Sequence, residues 1–110
     1  MKNFSSRPDQ NGSFGAIPLS DMRDVRVLAA NTAETHTIPT GAKVVILTPL
    51  KDHLYVKNGV TPTVPAVDVT DGSGPLCIPI GQTRILEIGD WTDIRMISEL
   101  ANIVGMEFFA

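Results

Sequence analysis

The chain contains one cysteine, Cys77, among 110 residues. A single thiol excludes an intrachain disulfide, and no Cys or His stands at metal-site spacing. Its apolar neighbours Leu76 and Ile78 predict a buried structural thiol, because a reactive thiolate needs electropositive surroundings. Aromatic residues make up only 5% of the chain, with one Trp and one Tyr. Charged residues are also few, at 19%. That share is low for a small domain that must cover itself with polar groups, and it points to an exterior partly covered by something else. A basic excess is missing as well. The formal net charge is −3, and residues 1–24 balance Lys2, Arg7 and Arg23 against Asp9, Asp21 and Asp24. The deficit therefore lies in residues 25–110, which hold six basic and nine acidic side chains. With no basic stripe to neutralise phosphates, nucleic acid is not an expected partner. No apolar run approaches the ~20 residues of a membrane span, and the N-terminus lacks the apolar core of a signal peptide. These absences predict a soluble protein made in a cytoplasm, with no membrane partner.

Short apolar runs are present in number, and turn residues separate them. Strands are predicted at Val25–Ala30, Glu34–Ile38, Lys43–Thr48, His53–Lys57, Leu76–Ile80, Thr83–Ile88, Thr92–Ser98 and Asn102–Phe109. Lys43–Thr48 is dense in β-branched residues and reads as a central strand, stopped by Pro49. Pro39-Thr40-Gly41 suits a type I turn with Pro at its first central position. Asn58-Gly59 supplies positive φ for a tight turn. Pro62 and Pro65 cannot donate to a ladder, so Val60–Gly74 is an edge segment or a long ordered loop. Ile94, Ile97, Ala101 and Val104 have helical spacing, but the short length and flanking β-branched residues favour strands. Eight strands at intervals of eight to twelve residues predict an all-β chain, a single antiparallel β-sandwich or jelly roll. In the last strand Val104, Met106 and Phe108 are expected to face in, with Gly105, Glu107 and Phe109 facing out. Ile85 and Leu86 are neighbours, so both faces of their strand are apolar and one meets a partner. The domain, residues 25–110, is near the lower size at which one apolar core suffices. Help from a partner surface or from oligomerisation, as a dimer or trimer, is therefore expected.

Residues 1–24 carry neither strand nor helix pattern and form an extended N-terminal arm. Phe4, Phe14, Ile17, Leu19 and Met22 are spaced irregularly through polar, Gly- and Pro-containing sequence. Solvent leaders tend to be poor in aromatics, so these five are the candidate partner-binding anchors.

Reactive constellations are missing. His36 and His53 sit on separate predicted strands without ligands at spacing, whereas a cupin-type metal enzyme would show a His-x-His pair and a following Glu. Asp68, Asp71 and Ser73 faintly resemble a calcium loop but lack its alternate-residue spacing and terminal Glu, and a hydrogen-bonded turn explains them. No Ser lies in a Gly-x-Ser-x-Gly elbow. Glu87, Asp90 and Asp93 are splayed by strand alternation and a turn, which leaves no acid–base pair. Trp91 is either a sugar-stacking platform or, more commonly for a turn Trp, a lid on the sandwich edge. The expectation is a non-enzymatic chain with no cofactor and no metal.

The stretch LAANTAETHTIPTGAKVVILTP, then LYVKNG, VPAVDVTDGSG, a Pro-Ile-Gly step and a closing IVGMEFF resemble a recurrent kind of small tailed-bacteriophage virion protein. The likeness covers about residues 25–110 and rests on turn chemistry and strand order. It implies a capsid cement or decoration protein on the outside of the virion, with the major capsid protein and further copies of itself as partners. A tail, fibre or glycan-binding module on the same sandwich is the alternative.

Overall fold

A computed structural model describes residues 1–4, 19–110 and, as backbone, the segments 7–8 and 15–16. The predicted all-β architecture is found, with no helix among the described residues. In chain order the strands are β1 (Arg7–Pro8), β2 (Gly15–Ala16), β3 (Met22–Leu28), β4 (Glu34–Thr37), β5 (Val44–Pro49), β6 (Leu54–Lys57), β7 (Leu76–Ile78), β8 (Arg84–Glu87), β9 (Asp93–Ile97) and β10 (Asn102–Phe109). The first two pair only with each other. The other eight fall on the eight strands expected from sequence, with ends that move by up to three residues. The largest shift is at β3, which starts at Met22 and so takes the end of the expected arm into the sheet.

Pairing follows one rule. β3 pairs with β10, β4 with β9, β5 with β8 and β6 with β7, every pair antiparallel. This is one long doubled ribbon, folded back at the β6–β7 connection. Rolling it lays β10 against β5 and β9 against β6, which completes the sheets β3-β10-β5-β8 and β4-β9-β6-β7. That winding is the jelly-roll order. It places β3 and β4 at one open side of the sandwich and β8 and β7 at the other.

The core lies between the two sheets. Leu28, Val45, Leu47, Val104, Met106 and Phe108 enter it from one sheet, and Leu54, Val56, Ile78, Ile94 and Met96 from the other. The inward set Val104, Met106 and Phe108 is as expected, with each residue at most 1% exposed. Phe109 departs from expectation. It has the outward parity, yet it is fully buried, because the ring of Phe4 packs edge-on against it with centroids 5.3 Å apart.

Three local expectations are corrected. The turn after β4 sits one residue later than Pro39 suggested: the Ala42 amide donates to the Pro39 carbonyl at 3.1 Å. Gly41 then occupies the third position with φ +87°, where a type II turn needs a residue free of a Cβ. Gly59 alone takes positive φ in the Asn58-Gly59 step. It opens a long irregular connection to β7 instead of closing a tight hairpin, with its amide held by the Asp93 carboxylate at 2.9 Å. Cys77 is exposed, not buried. In β7 the inward positions are Leu76 and Ile78, and pleating turns the residue between them to solvent.

Phe108 contacts the core from its middle, so Phe108→Ala should lower the unfolding free energy by about 3–5 kcal/mol. Urea denaturation measures this, with Val67→Ala in the exposed loop as a control expected to move stability by about 0.5 kcal/mol or less.

Candidate functional site

The open side formed by β3 and β4 is closed by charge. β3 turns Asp24 and Arg26 to the inner face of its sheet, beside Met106 and Val104. β4 brings Glu34 and His36 to the same side. Arg26 Nη1 donates to Glu34 Oε2 at 2.8 Å, and Arg26 Nε donates to His36 Nδ1 at 3.1 Å. A guanidinium only donates, so Nδ1 is the acceptor and the imidazole proton sits on Nε2. Nε2–H in turn donates to Asp24 Oδ2 at 2.9 Å. The imidazole face stacks on Phe108, with centroids 5.7 Å apart and planes 11° from parallel. One side chain therefore packs on the core through its face and ties two edge strands through its rim. An Asp-oriented histidine is half of a catalytic triad, but here Arg26 holds the nitrogen that would take a proton. The group is structural.

The remaining sequence candidates fall into quieter roles. The His53 imidazole accepts the Ile80 amide at 2.9 Å. Asp71 accepts from the Ser73 hydroxyl at 2.6 Å and its amide at 3.0 Å, an Asx turn that holds its carboxyl below the ordinary carboxylate value. Among the described residues no three His, Cys, Asp or Glu side chains gather as a metal would require. Trp91 packs against the core as the lid expected of a turn tryptophan. Glu87, Asp90 and Asp93 form no acid–base pair: Asp93 binds the Gly59 amide and the Arg95 guanidinium.

Of the arm anchors, Phe14 and Ile17 lie outside the described residues. Phe4 is engaged on its own body, and the segment around it is pinned by Ala110 N–H to the Lys2 carbonyl at 2.8 Å and by Phe4 N–H to the Ala110 carbonyl at 3.4 Å. Met22 sits opposite Phe108 on β3, on the other face of the sheet from Phe4. Leu19 is 63% exposed. Between Leu19 and Met22, the buried Ser20 hydroxyl lies 2.7 Å from the Phe108 carbonyl and accepts the Met22 amide, fixing where the arm joins the sheet.

The outer faces of the two sheets differ. That of β4-β9-β6-β7 carries Thr35, Arg95, Lys57 and Tyr55. That of β3-β10-β5-β8 carries Val27, Ile103, Val25, Gly105, Ile46 and Ile85, with Arg23 and Glu107 among them. Val25 is 70%, Val27 72% and Ile85 52% exposed. Here is the second apolar face that the Ile85-Leu86 step required, and a shallow depression of about 250 Å³ lies in it over Gly105. Two more sets of exposed apolar side chains occupy opposite ends of the sandwich. Val60, Val67 and Val69 belong to the β6–β7 connection, and Leu50 and Leu100 to the loops at the far end.

Sequence reasoning missed Asn102. Its fully buried amide holds the far end together: Oδ1 accepts the amides of Lys51, Asp52 and Ile103, while Nδ2 donates to the Asp52 carbonyl and Ser98 Oγ. An Asn that opens a strand after a turn carries no local sign of this, because four of those five partners come from other loops or the preceding turn. No protein-family model matches the chain, and no curated protein matches its sequence.

Asn102→Ala should cost roughly 2–3 kcal/mol, since it strips acceptors from several loop amides at once. A chemical denaturation curve with a lower midpoint and unchanged slope checks it. Acid should reveal Asp93. Its hydrogen bonds to the Gly59 amide and Arg95 hold its carboxyl below 3.8, so its contribution is complete above that pH and is lost as pH falls through the lower folded value. Asp93→Asn, which cannot titrate, should therefore melt with a shallower pH dependence below about pH 4 than the parent.

Proposed function

We propose that this chain is a structural virion protein of the cement or decoration kind, which binds the outside of a bacteriophage capsid and clamps neighbouring major capsid subunits. The observation that carries the reading is the distribution of exposed apolar side chains. Most lie on the outer face of one sheet (Val25, Val27, Ile85), on the β6–β7 connection (Val60, Val67, Val69) and on the far-end loops (Leu50, Leu100), with Met1, Leu19, Met22 and Ile80 elsewhere. A monomer in water gains nothing from three such places, while a protein wedged between several neighbours buries all of them. The resemblance of residues 25–110 to small tailed-phage virion proteins supports the same reading. The polar constellations of the described residues are occupied in holding the fold, which leaves binding as the chemistry this surface offers.

The mechanism is mass action. A shell under internal pressure opens at the seams between subunits, and a protein that touches two or more subunits binds only where the seam is intact. Binding then stabilises the closed shell by the ligand's binding free energy. Repeated copies around a local symmetry axis add avidity. A glycan-binding alternative would rest on Trp91 or on the Val60–Gly74 loop; Trp91 is partly buried against the core, which favours the capsid reading.

The test is to produce particles of the encoding virus without this chain and heat them. They should rupture at lower temperature than complete particles, and purified chain should restore resistance and bind in a fixed copy number per shell. Chain lacking residues 1–20 should bind more weakly. Particles that withstand heat equally well without the chain, and fail to bind it when it is added, overturn the proposal.

A further inference from the structure

The fold leaves the presence of Gly105 unexplained. It lies in the middle of β10, a strand with neighbours on both sides, where a glycine costs roughly 0.5–1 kcal/mol relative to alanine. Its φ is not in the left-handed region, and a Cβ added to it would meet only the Thr48 carbonyl at 3.9 Å, an ordinary contact. Nothing within the chain forbids a side chain there. The missing side chain opens the depression on the outer face, which is lined by Val25, Ile46 and Thr48 with Arg23 and Glu107 beside them. With no bulge in the unbroken register of β10 on β3 and β5, close approach by another surface is the use of a strand glycine that remains.

The register of β3 on β10 says which surface. Three rows cross the two strands on the outer face: Val27 beside Ile103, Val25 beside Gly105, and Arg23 beside Glu107. Consider a second copy laid face to face on the first, related by a two-fold axis that runs parallel to the strands, midway between β3 and β10. The axis exchanges the two members of every row. Val25 of each copy then stands over Gly105 of the other, a knob over a hole. Arg23 of each copy faces Glu107 of the other, and Val27 faces Ile103. One operation satisfies shape, charge and hydrophobicity in three successive rows, as an isologous interface must. Arg23 and Glu107 take part in no ion pair among the described residues, so both are open to a partner. Aligned face-to-face sheets pack about 10 Å apart, a spacing that the Gly105 hollow lets Val25 span.

We infer that the β3–β10 half of this outer face is a homodimer interface, in which Val25 of each copy enters the depression over Gly105 of the other and Arg23 pairs with Glu107. The face is small. With the axis midway between β3 and β10, only these two strands of each copy overlap, about 10 Å across, and the three rows run about 14 Å, a patch far below the ~800 Å² per partner of a standard interface. The dimer is accordingly weak, forming where copies are concentrated and dissociating on dilution. The inference stands on this geometry and does not depend on the capsid reading.

Sedimentation equilibrium of the full chain from about 10 μM to 1 mM tests it, the range where an interface of this size dissociates. The parent should show a reversible monomer–dimer equilibrium. Arg23→Glu and Glu107→Arg should each weaken it about tenfold or more, because each places two like-charge contacts across the interface. The double reversal, Arg23→Glu with Glu107→Arg, should restore association. Gly105→Val should abolish it by filling the hollow, while melting no lower than the parent, which separates loss of association from loss of fold. A parent that is monomeric throughout, a dimer indifferent to Gly105→Val, or a double reversal that fails to rescue overturns the inference. A monomer whose Gly105→Val variant also stops binding shells overturns it too, by assigning the face to the capsid. Dimerisation without any shell binding leaves this inference standing and sinks the capsid proposal instead.

Discussion

Pleating sends consecutive side chains of a strand to opposite faces, and a two-layer sandwich has only one dry side per sheet. Everything notable about this molecule follows from apolar residues that violate that arithmetic. Val44 to Leu47 in β5, Ile85-Leu86 in β8 and Phe108-Phe109 in β10 each put apolar side chains on both faces. The inner set builds the core. The outer set has to be covered, and the molecule covers it unevenly. Phe109 is capped by Phe4 from the chain's own beginning. Ile46, with Glu107 and Ile85 as its row neighbours, is only 5% exposed. Val25, Val27 and Ile85 stay in solvent.

The polar residues divide the remaining work. An edge strand exposes unpaired backbone and invites another strand, and inward-pointing charge is one way to discourage it. On β3 that task falls to Asp24 and Arg26, and His36 lets the charges sit at the core boundary by presenting an aromatic face to Phe108 and two nitrogens to the charged pair. The arrangement protects the edge of β3 but leaves its outer face apolar. Lateral pairing is thus disfavoured while face-to-face contact stays open. The far end has a different solution, a single buried amide, Asn102, in place of a charge network. All of its hydrogen-bonding capacity is spent inside the fold.

Strand positions were legible in the sequence because each strand is a local signal: a β-branched run bounded by turn residues. KVVILT and NIVGMEFF needed no knowledge of their neighbours. Parity within a strand was legible too, which is why Val104, Met106 and Phe108 were placed correctly. What failed was anything set by contact across the chain. The apolar neighbours of Cys77 suggest a core position, but alternation gives those neighbours the core and leaves Cys77 outside. Parity places Phe109 outside, and Phe4, more than a hundred positions away, packs over it. The association of Asp24, Arg26, Glu34 and His36 depends on which edge strands share an open side, and spacing along the chain does not encode that. The arm was legible only as composition. Its one anchor with a described aromatic contact, Phe4, turns out to complete the domain that it precedes.

Size explains why a face like that of Val25, Val27 and Gly105 belongs on such a molecule. A domain of this length has little core to spare, and a large apolar interface on a free monomer would invite aggregation before any partner is met. A small interface avoids that hazard, but it is too weak to hold two copies together at low concentration. Weakness of this kind is overcome when a scaffold brings copies together, because the effective concentration of neighbours fixed on one surface reaches the millimolar range. Contacts negligible in dilute solution then become cooperative with docking, each bound copy raising the affinity for the next. Under the capsid and dimer proposals, a sandwich with a modest self-complementary face and further apolar positions at its two ends would act chiefly where copies are arrayed. In the proposed dimer, the glycine at the centre of β10 gives up a little monomer stability for a fit that operates where copies are concentrated.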